Sequence, residues 1–445
     1  MRRSQILRAI SWGLFAVLAA AVALLAGCNA KSGGYPTSTP AKLRFFNAVG
    51  DVGPLVITYA GNTISNGLPF EGLLPYQSVT EGTQELKVSV AGSNTTLIDT
   101  TYPLTGLQSY TVLLFGPSTS GVQVLLPDQV AEPGGGTFNL RITNAATGTS
   151  ALDVYLTAPG APLDTVTPAL ANLAYPATSA FLSLPAGTYQ IRFTTQGSKN
   201  VIYDGGTVTF NDRASFHLVA YTKGSSTLVN AALLNLDTDG TGALRDNTLA
   251  QFKVIHAAPG TGAVNAFVDG NLVLSNVTYL GVSSYELVSA SPHTISIEAA
   301  TSPGAPIATA QPPFAAATDA SVVLTGLPGA QKALVLSDYN LPGSTGNARL
   351  RFVNVSPDAG PVDVYVNFVE RVPALASSAA SDYFEVAGGR PEVPNEDTYT
   401  INFLQSGTTN VVLSLPAVAV TAAHTYTIYL TGIAGQYSGI VTRDD

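Results

Sequence analysis

Along most of this chain, apolar and polar residues alternate over a few positions and then stop at a glycine or proline. Tyr189-Gln190-Ile191-Arg192-Phe193 and Tyr399-Thr400-Ile401-Asn402-Phe403 are examples. A period of two puts one set of side chains on a buried face and the other in water, the mark of a half-buried strand. The runs are rich in Val, Leu, Thr and Tyr, and long amphipathic helical patterns are absent. The pattern predicts an all-β protein. One region departs from it: residues 9–26 form an uncharged, largely apolar run.

The strands repeat. Leu43-Arg44-Phe45-Phe46-Asn47-Ala48, Leu140-Arg141-Ile142-Thr143-Asn144-Ala145, Phe252-Lys253-Val254-Ile255-His256-Ala257 and Leu350-Arg351-Phe352-Val353-Asn354-Val355 share one order: apolar, basic, apolar, variable, Asn or His, small. They start at 43, 140, 252 and 350, so successive starts lie 97, 112 and 98 residues apart. A second strand follows each, Leu55-Val56-Ile57-Thr58-Tyr59 in the first copy and Val362-Asp363-Val364-Tyr365-Val366 in the fourth. Two aromatics six residues apart come next: Phe70 and Tyr76, Tyr175 and Phe181, Tyr279 and Tyr285, with Tyr383 as what remains in the fourth copy. Each copy closes near an acid: Asp128, Asp237, Asp338 or Asp444. A period of this size is the sign of a tandem array. About seven short strands in each copy match an immunoglobulin-like β-sandwich. The expected units are residues 42–128, 137–237, 250–338 and 348–445, joined by exposed linkers rich in Gly and Pro.

The first 27 residues read as a secretory leader: three arginines, the apolar run, then small residues. Leu25-Ala26-Gly27-Cys28 resembles the lipobox of bacterial lipoproteins. That resemblance implies cleavage after Gly27 and lipidation of Cys28, with residues 28–41 as a tether. More than one acyl chain is needed for lasting attachment, and lipoproteins of this type carry two or three. Asn29, where an aspartate often retains such proteins in the inner membrane, implies the outer membrane if the organism has two.

Val353-Asn354-Val355-Ser356-Pro357-Asp358-Ala359-Gly360-Pro361-Val362-Asp363-Val364-Tyr365-Val366 resembles the opening of the bacterial domain-of-unknown-function 4397 family. Ile255-His256-Ala257-Ala258-Pro259 echoes it in the third unit, and Leu184-Pro185-Ala186-Gly187-Thr188-Tyr189 is similar to a later family segment. The resemblance implies a secreted or lipid-anchored β protein and supplies no catalytic residues.

Composition narrows the function. Cys28 is the single cysteine, so no intrachain disulfide forms and the fold rests on its core. The whole chain carries −9; without Arg2, Arg3 and Arg8 it carries −12. That opposes nucleic-acid binding, which needs a basic footprint.

Candidate chemistry is sparse. His256 stands in the slot of Asn47, Asn144 and Asn354, where a polar side chain bonds the backbone at the end of the first strand. Asp153 and Asp363 share a slot with Asn265 and Val56, which marks an Asx-type turn hydrogen bond at the strand's start rather than a catalytic carboxylate. Asn235, Asp237, Asp239 and Asp246, with Gly240 at the sixth position, approximate a calcium loop. No other cofactor or metal site is expected. No Gly-x-Ser-x-Gly elbow occurs, and no histidine is matched to a serine in the sequence. The expectation is a non-enzymatic, membrane-anchored envelope protein presenting sandwiches to a polysaccharide or an envelope or matrix protein. A structural spacer, or a hydrolase with a site between units, are the alternatives.

Overall fold

The computed structural model describes residues 39–120, 122–223, 228–237, 240–341, 343–389 and 397–445. Leu25, Ala26, Gly27 and Cys28 lie outside the described residues, as does Asp239.

The first unit runs β1 (Ala41–Ala48), β2 (Leu55–Tyr59), β3 (Asn62–Leu68), β4 (Leu73–Val79), β5 (Gly82–Val90), β6 (Thr96–Leu104), β7 (Ser109–Phe115) and β8 (Val122–Pro127). Two four-stranded sheets form, in the orders β4-β1-β7-β8 and β3-β2-β5-β6. β1 and β7 are parallel; their other neighbours are antiparallel. Leu43, Phe45, Val112 and Leu114 from the first sheet meet Leu55, Ile57, Leu86 and Val88 from the second. The third unit repeats this order, and the second and fourth keep it with small additions at the edges. Four such cores are present, one for each unit, as the sequence pattern predicts.

β2 shows the expected alternation of buried and half-buried positions, but β1 is buried on both faces from Leu43 onward. A strand covered on both sides reads as a near-continuous apolar run. The cover is another unit. Phe46, Ala48, Leu113 and Phe115 on the outer face of the first sandwich pack on Ala145, Val219, Tyr221, Ala232 and Leu234 of the second. The Tyr221 ring stands edge-on to Phe46 at 5.5 Å and to Phe70 at 6.0 Å. A matching cluster of Ile255, Ala257, Val323 and Leu336 with Val353, Val355, Tyr429 and Ile440 joins the third sandwich to the fourth. The string of four is therefore two face-to-face pairs.

The linker between the second and third units, expected to be exposed, is partly built in from residue 240 onward. Gly242–Arg245 adds an antiparallel strand to Val229–Asn235. Asn247 is buried and ties Ile202, Val229 and Asn230 together through its amide and backbone. Gly240, at φ +72°, lies so close to Tyr76 that a Cβ there would meet its ring at 2.5 Å. Glycine thus serves close approach as well as a turn. The strand pairs with its immediate predecessor, but the first unit that packs on it through Leu73 and Tyr76 lies far away in the chain.

Phe46→Ala is expected to destabilise the protein by about 3–5 kcal/mol, a core-sized loss. An isolated first sandwich would expose this side chain. Chemical denaturation measures it, and a change under about 0.5 kcal/mol would mean the two faces do not pack.

Candidate functional site

The repeated basic residue lies in the seam within each pair. By register, Arg44 stands beside Thr111, Arg141 beside His217, Lys253 beside Ser321 and Arg351 beside Thr427. An aromatic of the same unit covers each cation: Tyr76, Phe181, Tyr285 and Tyr383, at 4.9, 5.0, 4.9 and 4.5 Å. These are the second aromatics of the repeated pairs, so Tyr383 is the counterpart of Tyr76 and Tyr285.

In the seam between the third and fourth units the bonding is reciprocal. Lys253 reaches Asp444 at 2.9 Å and its own unit's Asp338 at 3.6 Å. Arg351 reaches Asp338 at 2.8 Å and its own unit's Asp444 at 3.4 Å. Lys253 Nζ also donates to Arg443 O at 3.0 Å, and Arg351 Nη1 donates to Ser337 O at 2.7 Å. Ser321 Oγ and Tyr285 Oη donate to Asp338, while Thr427 Oγ1 and Tyr383 Oη donate to Asp444. Two cations and two carboxylates, all buried, balance. Burial, then the charge of Asp444, raises the Asp338 pKa, and Lys253 and Arg351 oppose that. A buried ion pair adds little net stability over an apolar contact, but losing one partner leaves an uncompensated charge.

The first seam is the same design with parts missing. Asp128 accepts from Tyr76 Oη at 2.7 Å, Thr111 Oγ1 at 2.6 Å and Arg141 Nη2 at 2.8 Å. Arg44 Nε is 3.9 Å from Asp128. The second unit's matching residue is Leu236, not Asp237: the main-chain N–H groups of Asp128, Leu236 and Asp444 make the same bond, to Ser109, Ser215 and Thr425. The acid noticed in the sequence is one residue late, and one residue along a strand changes the face. Asp237 instead accepts the Ser215 N–H at 2.6 Å. Arg44 Nη1 therefore donates to Asn235 O at 2.6 Å, and its Nη2 finds no partner among the described residues.

Two further replacements accompany the lost acid. A tyrosine or hydroxyl there would have no carboxylate to receive its proton, and the second unit has Phe181 and His217 instead. Arginine only donates, so His217 Nδ1, 3.2 Å from Arg141 Nη2, accepts. The ring proton is then on Nε2, 2.7 Å from Thr143 Oγ1. Burial, then Arg141 and Arg44, pushes the His217 pKa far down, so the ring is neutral.

The other repeated polar slots do structural work. Asn47, Asn144 and Asn354 each donate to a backbone carbonyl and accept the N–H two residues on. His256 copies them, with Nε2 facing Gly262 O at 2.9 Å and Nδ1 accepting from Ala258 N. Asp153, Asn265 and Asp363 accept the N–H of Asn172, Asn276 and Ala374, which all have positive φ. The bond is made across strands rather than at a local turn. Of the calcium-loop residues, Asn235 accepts the Asp237 N–H and Asp246 is exposed. Among the described residues, no group of three or more His, Cys, Asp or Glu is gathered to hold a metal.

The fold does match one histidine to serines, a grouping that sequence spacing hid. His293 Nδ1 is 2.6 Å from Asp269, and Nε2 is 2.9 Å from Ser289 Oγ and 3.1 Å from Ser291 Oγ. The hydrogen bond from His293, then that from Thr294 N–H, lowers the Asp269 pKa. An acyl-transfer site also needs N–H donors for an oxyanion. Here the N–H groups of Ala290, Ser291, His293 and Thr294 are all given to other acceptors. The cluster pins the 269–270 hairpin to the following turn.

A cleft of about 330 Å³ opens between the first unit and the segment joining the third to the fourth. Phe70, Pro54, Pro69 and Glu71 face Tyr339 and Arg349 across it. Tyr339 is 39% exposed and stacks on the Arg349 guanidinium at 4.4 Å.

Tandem sandwiches fastened in pairs through buried ions define the class of protein. The model of the family described as "Domain of unknown function (DUF4397)" matches residues 41–155, 250–365 and 353–445, and the chain belongs to that family. Phe181, His217 and Leu236 all fall in the unmatched stretch, where the second unit departs from the design. No curated protein matches the chain. Among solved structures it is similar to the Bacillus anthracis TIE protein at 11% identity, covering 86% of this chain and 69% of that one, with a TM-score of 0.15. It is also similar to CBMbc (family CBM26) of Eubacterium rectale Amy13K, solved with maltoheptaose, at 15% identity, covering 43% and 95% and with a TM-score of 0.15. Likenesses of this strength carry no functional argument.

Asp128→Ala is expected to cost about 3–5 kcal/mol, because two buried guanidiniums lose their one carboxylate. Asp237→Ala, one register step away, should cost no more than about 1 kcal/mol. Equal losses in urea unfolding would refute the register assignment.

Proposed function

We propose that this chain is a non-enzymatic, lipid-anchored protein of the cell envelope that holds paired sandwiches against a polymeric partner, either a polysaccharide or a matrix protein. The observation that carries the binding reading is the cleft with Tyr339 at its rim. The repeated ionic residues are spent on holding units together, whereas Tyr339 lines a concave surface between units, opposite Phe70 and Glu71, which also contact Tyr221 of the second unit. Aromatic rings beside a few polar groups suit a ligand with both apolar faces and hydroxyls or amides. Loops on a rigid frame are where recognition residues collect. The lipobox ending at Cys28 supports the anchor, and the outer membrane is the proposed site where two membranes exist.

Two measurements test the reading. Cys28→Ala should abolish incorporation of labelled fatty acid; labelling that persists would remove the anchor. In a screen of envelope glycans and matrix proteins with the full mature chain, Tyr339→Ala should weaken the hit about tenfold or more, a loss of ~1.4 kcal/mol. Binding unchanged by this substitution would place recognition elsewhere.

A further inference from the structure

The seam between the third and fourth units holds one carboxylate that its ion network does not use. Asp319 opens the strand Asp319–Thr325. Its side chain shares the seam face with Ser321, Val323 and Thr325, because strand side chains alternate. The other three units place Ser109, Ser215 and Thr425 at this register position, so a carboxylate here is particular to the third unit. Asp319 is 1% exposed; among the described residues no hydrogen bond of normal length reaches either carboxylate oxygen, and the amides of Gln251 and Asn340 lie beside them. Its antiparallel neighbour is Asp338, already held by Arg351, Ser321 and Tyr285. Lys253 Nζ, the nearest cation on the adjoining strand, is directed to Asp444 and Asp338.

We propose that Asp319 is a proton-operated latch on this seam: neutral, it lies quietly beside a network of two cations and two acids; ionised, it adds a third carboxylate to a site balanced for two. The groups facing it are Gln251 and Lys253 on one side, Asp338 on the other, and Asn340 and Tyr285 beside them. Burial raises its pKa to about 7; the amides of Gln251 and Asn340 and the charge of Lys253 oppose that shift, and Asp338 adds to it.

The sign follows from linkage. An unfolded aspartate titrates near about 3.9. Between about pH 4 and about pH 7 the folded chain keeps a proton that the unfolded chain has released, so stability falls as pH rises through that window and then levels off. His217 in the other seam works the opposite way. Its folded pKa is depressed, so its contribution is lost as pH falls below about 6.5. The latch is therefore read as a difference between variant and parent.

The experiment is thermal unfolding of the full mature chain, parent against Asp319→Asn, at about pH 5 and about pH 8. The variant should melt close to the parent at the lower pH and at least about 4 °C above it at the higher. Asp319→Ser, which installs the hydroxyl of the other units, should behave alike and stands in if the amide variant does not fold. Infrared difference spectra should show a protonated carboxyl in the parent at the lower pH that is missing from the variant. An offset equal at both pH values, or no such carboxyl band, would overturn the proposal.

Discussion

A charge withdrawn from water must meet an opposite charge or a full set of hydrogen bonds, and that constraint governs how these units associate. Each first strand carries a basic residue on the outer face of its sandwich. An isolated sandwich would leave that residue wet. Here it is covered by a tyrosine or phenylalanine and then by a second sandwich, so it needs an acid. In the third and fourth units each cation makes its shorter contact with the other unit's acid: Lys253 with Asp444 and Arg351 with Asp338. The apolar clusters around Phe46 and Tyr429 supply most of the drive to associate. The ions fix which faces meet and in what register.

The second unit shows what happens when one part is removed. With Leu236 where the others have aspartate, a seam hydroxyl and a tyrosine Oη would lack an acceptor. His217, held neutral, and Phe181 remove that demand together. Arg141 then draws on Asp128 of the first unit, while Arg44 turns to a backbone carbonyl. Two copies of the second unit would bring two cations and no acid to a seam, so this unit is matched to a partner that carries one. Charge thereby favours the first-with-second pairing seen here over a second-with-second one.

Much of this was legible in the sequence, but not its meaning. The alternation gave the strands, and the period gave four units. Both the basic residue and the closing acid stood out as repeated features. That they bind each other across units was hidden, because pairing between Arg351 and Asp338 depends on sheet register and docking rather than on spacing. The same limit explains Asp237, which looked like the closing acid because position alone cannot tell one strand face from the other. The available signal for a covering unit was the break in alternation at Leu43-Arg44-Phe45-Phe46, where adjacent Phe45 and Phe46 put an apolar ring on each face. The cleft beside Tyr339 and the Asp269–His293–Ser289 cluster depend on tertiary placement, and no local pattern announces them.

Rigid pairing bears on function, because a surface shared by several units keeps its shape only if those units do not swing freely. The central claim is that cations and acids on different units are energetically coupled. A double-mutant cycle on Arg351→Met and Asp338→Ala in the full mature chain, followed by urea unfolding, tests it most directly. Residues in one buried network should show a coupling energy of about 1.5 kcal/mol or more. Losses that add to within about 0.5 kcal/mol would contradict the account and leave the two units as neighbours that merely touch.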